Sequence, residues 1–198
     1  MMALSDIVGL SGMAFALAVL IVPLVAARVT GRAVLLYIVV CMLLALSPFD
    51  GLSVAGYLRG FFGDLSVASL LLLVLALRRQ VSGAEAEGRM GLLALIALAA
   101  LAFYPFALGI GLFDPYRLGF GHFGFLAALL LVALLAWMRQ QVLIALYIAL
   151  AVLAWAIGWG ESNNLWDYLL DPWVAFYALG ALLKRSVRLL RGAPVSAR

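Results

Sequence analysis

The sequence predicts an all-α, polytopic integral membrane bundle of six or seven transmembrane helices, seven favoured, and three observations carry that expectation. Hydrophobic residues make up 68% of the chain and charged residues 11%, against about 25% charged for a soluble domain. So few charges cannot clothe the surface a soluble fold of this size would need. The charges also lie between successive apolar runs, which argues for several membrane spans, although the second run is short of the roughly 20 residues that cross about 30 Å of hydrocarbon unless its helix begins in the preceding basic turn. Finally, Arg and Lys fall on alternate connections, the pattern of a chain that weaves to and fro with its basic loops in the cytoplasm. A length of 198 residues fits one domain, so 1–198 reads as a single transmembrane domain.

The first span is expected over Ile7 to Ala27, with Pro23 as a tolerated irregularity near its end. The segment before it has no basic residue and carries Asp6, unlike a secretory leader, so the helix is expected to stay in the mature chain. Arg28, Gly31 and Arg32 form a basic turn before the second span, Ala33 to Leu46. Ser47–Pro48 should end that span, because the residue before Pro is pushed out of the α region. The third span is expected from Phe61 to Leu77 with Asp64 as cap, closed by Arg78 and Arg79.

A polar connection from Val81 to Arg89 leads to the fourth span, Met90 to Leu108, with Pro105 near its outer end. The fifth, Phe123 to Met138, and sixth, Val142 to Trp159, are separated only by Arg139–Gln140–Gln141 and so form a tight antiparallel hairpin. The seventh has two solutions. One helix runs from Leu165 to Leu183, or Leu165 to Leu170 lies in the interface and a helix from Pro172 crosses, with Asp171 as N-cap and Lys184, Arg185 and Arg188 snorkelling.

Seven spans with an external N-terminus place every basic residue except Arg59 and Arg117 on the cytoplasmic side, with the C-terminus. Asp6, Asp50, Asp64, Asp114, Glu161, Asp167 and Asp171 fall outside, and Glu85 and Glu87 inside. Short loops and the preference for Arg over Lys point to a bacterial inner (plasma) membrane.

The external connections 47–64, 104–122 and 159–173 hold most of the remaining chemistry and suggest three helical-hairpin-like repeats. The first two share Pro-Phe, then an Asp, then Tyr57–Arg59–Gly60–Phe61 or Tyr116–Arg117–Gly119–Phe120. Interfacial aromatics account for the tyrosines and tryptophans. The two arginines either tie acidic loops together or, with Tyr57 and Tyr116, grip an anion such as a phospholipid or polyprenyl-phosphate-linked headgroup. His122 at a helix start and Asp167 are the candidates for proton transfer, although a capping histidine is the plainer use. Asp167 and Asp171, four apart, would share a helical face and with Glu161 offer oxygens to a hard divalent cation.

Other classes lose their footing. A net charge of +4 without a contiguous basic stripe does not make a nucleic-acid surface. Cys41 is the only cysteine, which excludes an intramolecular disulfide and a thiolate metal cluster. Nucleotide, zinc-protease and nucleophile-elbow motifs are missing, and no cofactor is implied. The expected function is a small accessory or scaffolding subunit of an envelope lipid or glycan system, contacting membrane lipids and a membrane protein partner or a second copy of itself. The alternatives are an enzyme or carrier for phosphate-bearing lipid, and a proton- or cation-coupled transporter.

Overall fold

The computed structural model describes residues 4–25, 29 and 31–192; Arg28, Arg198 and the Ala27 end of the first expected span lie outside them. The described residues form an all-helical chain. Its longer helices are α1 (Leu4–Val25), α2 (Arg32–Leu46), α4 (Val67–Ser82), α5 (Arg89–Ala107), α6 (Phe123–Met138), α7 (Val142–Ala156) and α9 (Pro172–Leu190). Two short helices, α3 (Val54–Phe62) and α8 (Leu165–Leu169), lie in the connections 47–64 and 159–173. Two of the longer helices are long and apolar enough to cross a membrane, over Leu4–Leu24 and Arg89–Ala107; α2, α6 and α7 are apolar but shorter.

Successive long helices run antiparallel, and their ends gather at two poles. At one, Arg59 at the end of α3 meets Asp6 in the first turn of α1, and Asp171 before α9 meets Ser66 before α4. At the other, Gln141 lies against Gly88 and Gly91 at the start of α5. The seven acids and two arginines expected outside therefore belong to the first pole. The second pole carries an Arg79–Glu85–Arg89 set, and Arg89 reaches along α9 to hydrogen-bond the hydroxyl of Tyr177.

The main core is built by α4, α5, α7, α8 and α9, with Leu92, Leu93, Ile96, Ala151, Leu165 and Ala178 sealed from solvent. Smaller clusters bind α1 to α2 and α4 through Val19, Val22, Val34 and Ile38, and α1 to α3 through Ala14 and Ala55. Large apolar side chains cover the outside as well. Leu36, Leu43 and Leu44 on α2 are 62–66% exposed, and α6 shows Leu130, Leu131 and Leu134 while burying only Ala136. Such broad apolar exposure is foreign to a surface facing water.

Several boundaries fall where the sequence puts them, α6 at both ends. The third span does not. Gly63, with φ 76°, stops α3, and α4 starts afresh after Ser66, whose hydroxyl accepts from the Ser69 amide. Asp64 is thus no cap; it turns back to Arg59. Before α3, Pro48–Phe49 and Leu52–Ser53 pair as a small hairpin across Asp50–Gly51, both with positive φ, the aspartate-glycine turn that matches strand twist.

The last segment breaks at Leu170–Asp171, as the second solution has it, and α8 is packed inside the protein. Leu165, Leu169 and Leu170 are at most 4% exposed, because their side chains complete the core between α4 and α7. Tyr147, about two and a half turns short of the outer end of α7, donates to the Leu169 carbonyl at 2.6 Å. The buried, irregular backbone of this segment is thus satisfied from within the protein.

Candidate functional site: an acidic cap with a central cleft

Three polar knots close the connections of the first pole over the helix ends. The first is centred on Arg59, whose side chain is 15% exposed. Its Nε and Nη2 fork onto Asp64 at 2.6 and 3.2 Å, Nη1 donates to Asp6 at 3.0 Å, and Nη2 also donates to Glu161 at 2.6 Å. The planar guanidinium suits this multiple grip, and hydrogen bonding to Asp64 raises its pKa above the ordinary value. Gly9, one turn along α1 from Asp6, makes the room: a Cβ there would lie 2.6 Å from the Arg59 Cζ.

The second knot joins 104–122 to 159–173. Asn164, sealed from solvent, donates through Nδ2 to the Tyr116 carbonyl and accepts through Oδ1 from the Trp166 amide, both at 2.9 Å. Trp166 Nε1 donates to the Pro115 carbonyl, and its ring packs on Phe103 and Phe125, with centroids 4.3 and 4.6 Å away. The Tyr116 hydroxyl donates to Asp167 at 2.9 Å, and the Ser162 hydroxyl donates to the same oxygen at 2.5 Å. Gly119 is required at its place because any Cβ would overlap the Asn164 side-chain carbonyl.

In the third knot, Asp171 is 6% exposed and sits where two helices begin. Its Oδ1 accepts from the Val174 amide at 2.8 Å, capping α9. Its Oδ2 accepts from the amide and hydroxyl of Ser66 at 3.0 and 2.7 Å and from the Ser69 hydroxyl at 2.5 Å. One carboxylate thus serves the positive ends of α4 and α9 together.

Between the knots lies a cleft of about 650 Å³. Asp64, Asp114, Glu161, Asp167 and Asp171 border it; Phe103, Tyr104, Tyr116 and Tyr168 form aromatic wall; Ala107, Leu108 and Pro172 add apolar surface. Burial, reinforced by the hydrogen bond to Asp167, raises the Tyr116 pKa, and burial raises that of Tyr168. The Tyr168 hydroxyl donates to the Ser162 carbonyl and accepts from the Gly160 amide.

The sequence candidates are distributed unevenly over this geometry. Tyr116, Glu161, Asp167 and Asp171 border the cleft, and Arg59 closes one side of it through Asp64 and Glu161. Arg59 pairs with Asp64, Asp6 and Glu161, and among the described residues no ion pair joins it to Asp50 or Asp114. Arg117 is exposed on the 3₁₀ turn Pro115–Gly119 and makes no ion pair among the described residues. The described contacts do not join the two arginines, and Tyr57 hydrogen-bonds the Asp50 carbonyl away from the cleft. A phosphate gripped by Arg59 would have to displace three carboxylates.

His122 is the exposed N-cap of α6 without a side-chain capping bond, and no described contact joins it to Asp167. Asp167 and Asp171 do not share a helical face, because α8 ends at Leu169 and the extended Leu170 separates them. Among the described residues no three His, Cys, Asp or Glu side chains come together closely enough to hold a metal ion. Each expected ligand has another partner: Glu161 has Arg59, Asp167 has Tyr116 and Ser162, and Asp171 has the two serines. Ser66, Ser69 and the structural role of Asn164 are absent from the sequence reading. Only Ser66 left a local signal there, a serine at the start of an apolar helical run.

The class these features define is an all-helical chain with membrane-length apolar helices and an acidic, aromatic-walled cap at one pole. Comparison with protein families, curated proteins and solved structures finds no match for it.

Proposed function

We propose that this chain is a seven-span protein of a bacterial inner membrane, N-terminus outside and C-terminus cytoplasmic, whose external cap recognises a ligand or partner as the accessory subunit of an envelope lipid or glycan system. The observation that carries the reading is the cleft of about 650 Å³, bounded by elements from all three external connections. A pocket of this size, apolar and aromatic with a few polar groups, is the ordinary form of a small-ligand site. The membrane setting is supported by the apolar residues that cover the outer faces of α2, α6 and α7. It is supported equally by the two poles, one rich in acids and the other holding most of the described arginines. The knots are internal ties, so they hold the cleft in shape before a ligand arrives.

Two measurements test this. Cysteine-accessibility labelling in intact cells should find positions 114 and 161 open to the outside and position 79 shielded. Purification in mild detergent, followed by mass spectrometry, should recover a stoichiometric protein partner or a bound lipid. Labelling of 79 and 114 from the same side would end the seven-span topology, and turnover of a substrate by the isolated chain would end the accessory role.

The break between α8 and α9 favours a second reading, a proton- or cation-coupled carrier, since broken helices line the sites of such proteins. It predicts pH-dependent flux in proteoliposomes that is lost in Asp167→Asn. A folded variant with undiminished flux removes it.

A further inference from the structure

Resting on the proposal that the cap is a recognition site, we infer that the cleft takes an organic cation, an ammonium or guanidinium group on an apolar or aromatic stem. The cavity itself, its wall and its charge carry this together. Arg59 touches two of the five bordering carboxylates and is shared with Asp6 outside the cleft. The partners of Asp114 and Asp167 are hydroxyls and a backbone amide, which satisfy lone pairs without cancelling charge, whereas Asp171 is spent on the positive ends of α4 and α9. The cleft is therefore negative, and its low-dielectric wall focuses that field on whatever enters.

The shape of the site chooses among cations. A bare metal ion needs oxygens converging on one point, and these carboxylates are spread around the cavity instead. A larger cation can meet two of them at once. Tyr104 and Tyr116, both half-buried, line the cleft with aromatic surface of the kind that favours a desolvated ammonium or guanidinium. The Tyr104 hydroxyl makes no hydrogen bond among the described residues, which leaves it able to accept from an ammonium N–H. Beside it Phe103, Ala107, Leu108 and Pro172 provide apolar surface for the stem. The same chemistry is found in an aminolipid headgroup and in a soluble amine, and both can reach a cleft at the outer end of α5.

The test is calorimetric titration of the purified chain with phenethylamine and with its neutral counterpart, 2-phenylethanol, at low and high salt. The amine should bind at least about tenfold more tightly than the alcohol, and added salt should narrow the gap. Asp167→Asn and Asp114→Asn keep an acceptor oxygen while removing charge, and each should weaken amine binding by about fivefold or more. Tyr104→Leu should do the same through loss of the ring face. Asp50→Asn, outside the cleft, should leave affinity unchanged.

The source of the cation is decided by mass spectrometry of the chain released from nanodiscs containing equal phosphatidylethanolamine and phosphatidylglycerol. Retained ethanolamine lipid that phenethylamine displaces identifies a lipid headgroup; amine binding without lipid retention identifies a soluble ligand. Equal binding of amine and alcohol, or binding of neither by a chain with wild-type melting, overturns the inference. Those outcomes leave the labelling and co-purification tests of the cap untouched.

Discussion

Replacing Asp171 by Ala strips the shared anchor from two helix starts, and the cost follows from its four hydrogen bonds. The bond from the Val174 amide is an N-cap, for which loss costs about 1 kcal/mol. The three bonds from Ser66 and Ser69 reach a charged acceptor in a buried setting, about 1.5 kcal/mol or more each. They depend on one carboxylate, so the losses do not simply add. A net destabilisation of about 3 kcal/mol or more is expected, since buried donors are left without acceptors. For a chain of this size that corresponds to a fall of roughly 6–12 °C in melting temperature.

Cys41, half-buried on α2 and the only cysteine, is a built-in reporter. A thiol-reactive dye in detergent should follow unfolding directly. Ser69→Ala removes one donor and should cost about 1 kcal/mol. Asp171→Asn retains the cap but turns an amide toward the Ser66 N–H, and should fall between the two. If Asp171→Ala melts within about 0.5 kcal/mol of wild type, or no lower than Ser69→Ala, the carboxylate is not what holds α4 and α9 together.

Gly9→Ala forces a methyl group against the Arg59 guanidinium. It should cost about 1–3 kcal/mol and speed proteolysis within 47–64, as Arg59→Lys should to a smaller degree; a silent Gly9→Ala would refute the close approach. Gly119→Ala drives its Cβ into Asn164 and should destabilise by about 2 kcal/mol or more, with loss of ordered tryptophan fluorescence from Trp166; unchanged melting and fluorescence would refute that packing. The raised pKa values of Tyr116 and Tyr168 mean that the folded cap keeps both hydroxyls protonated where a solvated tyrosine has ionised. Their contribution is complete below about pH 10 and is lost as the pH rises beyond it through the folded values. Tyrosinate absorbance and melting should therefore change together above that pH, and Tyr116→Phe should reduce the dependence; an identical alkaline profile in that variant counts against the Tyr116–Asp167 bond.

The positions of most helices were legible because hydropathy, proline and the N-cap chemistry of Asp171 act over a few residues. So were the gathering of acids at one pole and of arginines at the other, which needs only a count of alternate connections. The third span was misread because Asp64 carries a good local capping signal, and its actual partner, Arg59, is reached only once Gly63 turns the chain.

The site was far less legible. Asp6 and Glu161 stand 53 and 102 residues from Arg59, and Asp171 stands 105 from Ser66. No local pattern ties such residues, since nothing in α-helical or turn geometry relates them. Two arginines in matching surroundings suggested one anion site, yet packing gave them different fates: Arg59 is enclosed by carboxylates, and Arg117 is exposed. The sequence by itself determined that helices form and where charge accumulates, through short-range backbone chemistry and solvation. Only the tertiary structure decided which charges neutralise one another, because that depends on which helix ends meet in space, and so it alone left an acidic cleft where an arginine site had been expected.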